Sequence, residues 1–226
     1  AIQFNLATGR ATGEGTDTLI EMEGAFASKF SDTLVGDGDD NTLFAQAGND
    51  TVEGGKGDDL MTGDDGRDLL TYRNASGSVT VTLGAYAAAS QSSDKGTSTG
   101  ADGTDEHYGF EDVEGSAHND TLTGNDGNNT LRGGKGNDTL DGKGGKDLAD
   151  YATATAAVTV SLAASPTTTG GGKSAGADGV DTLNNIEGIT GSNFADTLTG
   201  DKLENQLFGG KGDDTLAGGM GNNLLD

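Results

Sequence analysis

From Ala27 to Thr71 the apolar residues Leu34, Leu43, Val52, Met61 and Leu70 stand nine positions apart, separated mostly by glycine, aspartate, asparagine and threonine. The rows ASKFSDTLV, GDGDDNTLF, AQAGNDTVE, GGKGDDLMT and GDDGRDLLT follow one another without an insertion. The register returns over 115–150, with Leu122, Leu131, Leu140 and Ala149 at position eight, and over 191–226, with Leu198, Leu207, Leu216 and Leu225. Nine residues are too few for a helical unit. They suit a turn of about six residues and a strand of about three, whose one inward side chain is at position eight. A single row buries nothing by itself. Two rows predict a coil of two opposed strands, and stacked coils predict parallel ladders about 4.8 Å apart around a thin aliphatic core. The fold class expected is all-β, a parallel β-roll or β-solenoid built from nonapeptide rows in three blocks.

A longer period encloses the short one. AIQFNL, SVTVTL and AVTVSL, each followed by a variable Gly/Ser/Thr-rich stretch, precede GTDTLIEMEG, GTDEHYGFEDVEG and GVDTLNNIEG, and the nonapeptides come next. The chain is three copies of a unit of about 77 residues. It divides into a strand and rung segment (1–26), a first block (27–72), an intervening β segment (73–114), a second block (115–151), another intervening segment (152–190) and a third block (191–226). The alternation in SVTVTL and AVTVSL predicts half-buried strands, and DTLIEMEG and DTLNNIEG read as broader rungs of the same solenoid. GADGTD (100–105) and GADGVD (176–181) could place Asp102/Asp105 and Asp178/Asp181 on an additional cation, but solvated loop acids are the better reading. Phe30, His118 and Phe194 stand at position four of the first row of each block, where glycine is the rule, and are read as caps that open each roll.

Composition adds a constraint on partners. Only 31% of the residues are apolar and 5% aromatic, so a large core is excluded; 37 acidic against 13 basic residues give a formal charge of −24. Such a chain repels nucleic acid and anionic membranes and favours cations, and without a counter-ion it sits close to disorder. Cysteine is absent, which excludes thiolate metal sites and disulfides and accords with life outside the cell. No run approaches the length of a membrane helix and no signal peptide opens the chain; the strand-like AIQFNL start and NNLLD end predict a fragment of a longer protein. His107 and His118 have no counterparts in the other copies and are assigned surface or packing roles. Neither a GxSxG elbow nor an HExxH helix is present. An EF-hand starting at Asp37 would put Thr42 at its obligatory glycine and Gly48 at its terminal glutamate, so that template fails.

What remains is the charge gathered at position six: Asp32, Asn41, Asp50, Asp59 and Asp68, then Asp120, Asn129, Asp138 and Asp147, then Asp196, Asn205, Asp214 and Asn223. Glycines at positions one, two and four allow positive φ and let carbonyls converge. Carboxylates and carbonyls without His or Cys favour calcium, which takes 6 to 8 oxygens at about 2.3–2.6 Å. Rows two apart stack, which predicts the pairs Asp32/Asp50, Asp50/Asp68, Asp120/Asp138 and Asp196/Asp214.

GGKGDDLMT, GGKGNDTLD and GGKGDDTLA resemble the nonapeptide GGxGxDxUx of the RTX, or haemolysin-type, calcium-binding proteins, a known signature of calcium-loaded β-helices. The resemblance covers roughly half the chain. It implies a right-handed parallel β-roll with calcium (Ca2+) held by position-six aspartates and by turn carbonyls. It also implies export of the unfolded chain through a type I secretion machinery, and folding on external calcium. Carried over, the best ligand turns are Gly54, Lys56, Gly57 and Asp59; Gly133, Lys135, Gly136 and Asp138; and Gly209, Lys211, Gly212 and Asp214, the lysines and glycines through main-chain oxygens only. Gly66 would serve the Asp68 row in the same way. Asn41, Asn129, Asn205 and Asn223 keep an oxygen but lose a charge, so sites built on Asn205/Asn223 are expected weak or empty. The function expected is an extracellular, non-catalytic folding and secretion module. The alternatives are a calcium-stiffened segment of a surface adhesin or matrix protein, with an unidentified cell-surface or polysaccharide partner, and an accessory module of a secreted enzyme.

Overall fold

The computed structural model describes residues 1–13, 15–85, 95–162 and 172–226. Most of the Gly/Ser/Thr-rich stretches that follow Leu83 and Leu162 fall outside them. The chain forms two compact units, residues 1–116 and 117–226. Both are all-β among the described residues, and no helix is long and apolar enough to cross a membrane.

In the first unit, the strands Gln3–Asn5, Thr33–Val35, Thr51–Glu53, Leu69–Thr71 and Asp112–Glu114 form a parallel ladder. Arg10–Thr12 and Thr16–Thr18 extend it by antiparallel pairing at the Gln3–Asn5 end. The second sheet stacks Gly24–Phe26, Thr42–Phe44, Leu60–Thr62 and Thr104–Tyr108 in parallel. Successive rows thus alternate between sheets, and rows two apart pair in register, Leu34 with Val52 and Leu43 with Met61. The register follows from the period: each nonapeptide strand is three residues long and turns only its middle side chain inward, so a one-residue slip would expose it.

The second unit repeats the scheme. Thr130–Arg132, Leu148–Asp150, Gly188–Thr190, Gln206–Phe208 and Leu224–Leu225 are parallel in one sheet. The other stacks Thr121–Thr123, Thr139–Asp141 and Thr182–Asn184, and also Thr159–Ser161, Thr197–Thr199 and Thr215–Ala217. Position eight faces the core as expected: Leu34, Leu43, Val52, Met61, Leu70, Leu122, Leu131, Leu140, Ala149, Leu198 and Leu207 are fully buried. Burial of each Leu or Val is worth about 1.5–3 kcal/mol. Leu225 departs from the rule at 46% exposure, because its rung is the outermost and only one neighbouring strand covers it.

Three features correct the sequence reading. The roll is interrupted by antiparallel strands that no alternation announced: Gly96–Gly100 lies between Val79–Thr82 and Thr104–Tyr108, and Gly172–Ala175 between Thr159–Ser161 and Thr182–Asn184. Phe30 and Phe194 do not open a roll, since Gln3–Asn5 and Thr159–Ser161 continue the ladders one rung earlier. Asp105 and Asp181 are not solvated loop acids but are buried at 6% and 5% exposure.

Candidate metal centres

Position six forms a ladder of its own. Oδ1 of Asp50 accepts the N–H of Asp32 at 2.6 Å, and Oδ1 of Asp68 accepts that of Asp50 at 2.7 Å. The same bond joins Asp59 to the N–H of Asn41, Asp138 to Asp120, Asp147 to Asn129 and Asp214 to Asp196, each at 2.8 Å. The stacked pairs read from the sequence are thus joined through a peptide N–H and do not meet carboxylate to carboxylate. One oxygen of each of these acids is committed to holding rungs together.

The second oxygen divides the rows into two kinds. Where position two is not left-handed, its N–H turns inward to the position-six side chain of its own row. Ser28 donates to Asp32 at 2.6 Å, Asp37 to Asn41 at 2.8 Å, Asn125 to Asn129 at 2.8 Å, Ser192 to Asp196 at 2.5 Å and Asp201 to Asn205 at 2.7 Å. Where position two has positive φ, as at Gln46, Gly55, Asp64 and Gly134, that donor is turned away. Oδ2 of Asp50, Asp59, Asp68 and Asp138 is then buried without a hydrogen-bond partner. Among the left-handed rows, the position-three N–H bonds the position-two carbonyl two rows earlier, Lys56 to Asp37 and Asp65 to Gln46, both at 2.8 Å.

The glycine turns receive these oxygens. A Cβ on Gly54 would lie within 3.0 Å of Asp59 Oδ2, one on Gly133 within that distance of Asp138 Oδ2, and one on Gly209 within it of Asp214 Oδ2. At these three glycines the carboxylate occupies the place of a side chain, whereas the Asp50 row carries Ala45 at position one. Gly57 (φ 104°), Gly136 (φ 127°) and Gly212 (φ 132°) take backbone conformations that side chains resist and lie against the main chain of residues 39–40, 118–119 and 194–195. Gly66 pairs with Gly48 in a two-residue parallel ladder between turns. Lys56, Lys135 and Lys211 are exposed, and Lys56 Nζ stands 4.0 Å from Asp102, where it offsets negative charge.

Burial dominates the electrostatics. It pushes the carboxyls of Asp59, Asp68 and Asp138 up to about 7, with neighbouring acids adding to the rise and the ladder hydrogen bond opposing it. Asp50 is raised for the same first reason. A buried carboxylate oxygen with no donor requires a proton or a cation. Among the described residues no three His, Asp or Glu side chains gather to hold a metal, so carbonyls must supply most of the oxygens.

The sequence of this region matches the model of the RTX calcium-binding nonapeptide repeat over residues 27–61, 35–70, 114–149 and 190–225, just over half of the chain. The chain belongs to the RTX calcium-binding nonapeptide-repeat family. It matches no curated protein. An RTX repeat is a calcium-binding unit, and the donors here fit calcium: hard oxygens only, with the unpaired Oδ2 atoms of Asp59, Asp68 and Asp138 set against the glycine that opens each row, and neither nitrogen nor sulfur among them. Asp50, Asp59, Asp68 and Asp138, with carbonyls of their turns, would hold the ion, which supplies the countercharge these oxygens lack.

Four acids on rungs outside the nonapeptides occupy position six: Asp105 and Asp181, which sequence reasoning considered and set down as loop acids, and Glu111 and Glu187, which it missed. Asp105 Oδ1 accepts the N–H of Asp59 at 3.0 Å, and Asp181 Oδ1 that of Asp138 at 2.9 Å. Their other oxygens accept from Tyr72 (2.9 Å) and Ser98 (2.9 Å), and from Tyr151 (3.0 Å) and Ser174 (2.8 Å). Glu111 and Glu187 accept the N–H of Asp68 and Asp147, each at 2.9 Å. The signal available was the common register of GADGTD and GADGVD, with a tyrosine at the same distance ahead of each VTV strand. Asp102 and Asp178 bond Ser76 and Thr155 through both backbone and hydroxyl. His107 is a core residue at 1% exposure, edge-on to Phe110, with its imidazole pushed down to about 4 by burial. His118 is exposed.

Proposed function

We propose that this chain is a calcium-dependent folding module of an exported protein, unfolded during passage through a type I secretion machinery and folded by calcium outside the cell. The observation that carries the reading is the set of buried, unpartnered Oδ2 atoms of Asp50, Asp59, Asp68 and Asp138. They make the roll a poor fold without cations and a stable one with them. The formal charge of −24 acts in the same direction. Each ion bound only by the folded state adds about 2.7 kcal/mol at a hundredfold excess over Kd. Inside a cell, where free calcium is scarce, the chain stays expanded; outside, binding and folding are one event. The module acts by folding and by spacing, with no reaction of its own: its repeated acids serve as ligands and ladder acceptors, and His107 packs in the core.

Circular dichroism in chelator and in millimolar calcium tests the proposal. A disordered spectrum that becomes β-rich on calcium addition supports it, whereas an unchanged β spectrum in chelator overturns it.

A further inference from the structure

The rungs that follow the first and second blocks do not belong to the nonapeptide pattern, yet they offer the same two oxygens that a nonapeptide row offers to the row two places before it. Between nonapeptides, the position-one carbonyl of the later row sits over the position-one glycine of the earlier one: Gly54 O over Gly36, and Gly209 O over Gly191. The position-six side chain of the later row accepts the N–H of its counterpart. At the end of the first block, Gly109 O stands over Gly63, within 3.0 Å of where a Cβ would be, and Asp68 Oδ2 is 2.7 Å from the same point. Glu111 Oε2 accepts the Asp68 N–H at 2.9 Å. At the end of the second block, Asn185 O and Asp147 Oδ2 both lie within 3.0 Å of the Cβ position of Gly142, and Glu187 Oε2 accepts the Asp147 N–H at 2.9 Å. Gly109 (φ 67°) and Asn185 (φ 51°) share the left-handed turn that aims these carbonyls. Two unlike sequences, GFED and NIEG, thus build one arrangement.

Asp68 is completely buried, and its Oδ2 has no hydrogen-bond partner. That oxygen and the Gly109 carbonyl, which comes from outside the nonapeptides, converge on the same point over Gly63. The glutamate's extra methylene lets a rung with a shortened turn reach the position-six file. Phe110 and Ile186, each one residue before the seam glutamate, are buried at 3% and 7% exposure and anchor these rungs in the core.

We infer that calcium binding extends past the nonapeptide blocks: Asp68 with Glu111 and the Gly109 carbonyl, and Asp147 with Glu187 and the Asn185 carbonyl, form two seam sites for the cation. The inference rests on the calcium reading above. The seam rungs lack the GGxG turn and its converging carbonyls, so these sites are weaker than those between nonapeptide rows, and they couple the intervening segments to the loaded blocks. Glu23 holds the same place in copy one, behind a residue of the same conformation (Glu21, φ 51°), but it is exposed.

Calorimetric titration of the intact chain with calcium chloride tests the seam sites on the double variant Glu111→Gln, Glu187→Gln, which keeps an oxygen for each ladder bond and removes two charges. The expected result is the loss of two calcium equivalents, or their weakening by tenfold or more, while Glu23→Gln titrates like the parent. Terbium-loaded crystals of the unaltered chain provide a readout that does not depend on variant folding, with anomalous peaks expected beside Asp68 Oδ2 and Asp147 Oδ2 at the seams. A parent that binds calcium, with variants that bind it identically or with peaks only between nonapeptide rows, overturns the seam sites alone. A parent that binds no calcium overturns the seam sites and the proposed function together.

Discussion

Asp68 gives one carboxylate oxygen to the backbone of Asp50, at 2.7 Å, and keeps the other buried with no donor facing it. The two oxygens have separate tasks, and two substitutions separate them. Asp68→Asn keeps the acceptor and removes the charge, so in chelator the variant is at least as stable as the parent. Asp68→Ala strips the Asp50 N–H of its partner and costs about 1–3 kcal/mol in either condition. In calcium both lose a bound ion. Urea unfolding with and without calcium measures all four values; an asparagine variant destabilised in chelator as much as the alanine variant would show that the charge is held by something other than a cation.

Gly54 and Gly38 make a second contrast. A Cβ on Gly54 would meet Asp59 Oδ2 within 3.0 Å, whereas one on Gly38 meets nothing within 4 Å. Gly54→Ala is expected to displace the carboxylate and weaken calcium binding at that turn by tenfold or more, about 1.4 kcal/mol. Gly38→Ala leaves the titration unchanged.

Acid has opposite effects on the two forms. The carboxyls of Asp59, Asp68 and Asp138 titrate near 7 in the metal-free fold against 3.8 ordinarily. The folded chain therefore binds more protons than the unfolded one between those values, and metal-free stability falls as pH rises through about 4 to 7. Calcium has to displace the same protons, so its apparent affinity rises over pH 6 to 8 and binding releases protons. Urea unfolding in chelator at pH 5.5 and 8, and calcium calorimetry in buffers of different ionisation heat, check the two signs.

Tyr72 and Tyr151 offer a test of rungs that work without a cation. Each donates to a buried aspartate whose remaining oxygen is in the ladder. Tyr72→Phe and Tyr151→Phe should each cost about 1–3 kcal/mol in calcium while leaving the number of bound ions unchanged. A lost calcium equivalent would mark Asp105 or Asp181 as a ligand.

The sequence by itself determined the period, the buried residue of every inner row, the pairing of rows two apart and the hard-oxygen chemistry of position six. Each of these repeats every nine residues and is decided by a local conflict: one apolar side chain per row has one place to go, and a row of aspartates beside glycines has one class of counter-ion. The tertiary structure alone decided which aspartates keep an oxygen free. That choice depends on whether position two is left-handed, and Gln46 (φ 73°) and Asp64 (φ 64°) adopt that conformation without being glycine. Bonds from the next position to a carbonyl two rows earlier, Asp65 to Gln46 and Gly144 to Asn125 among them, accompany it, and such partners are distant in sequence. The antiparallel strands Gly96–Gly100 and Gly172–Ala175 escaped notice for a related reason: made of small and polar residues, they have no apolar alternation of their own and are strands only because sheet neighbours flank them on both sides. Glu111 and Glu187 became ladder residues in the same way, since a glutamate on a shortened turn matches position six only when the rung beneath it sets the distance.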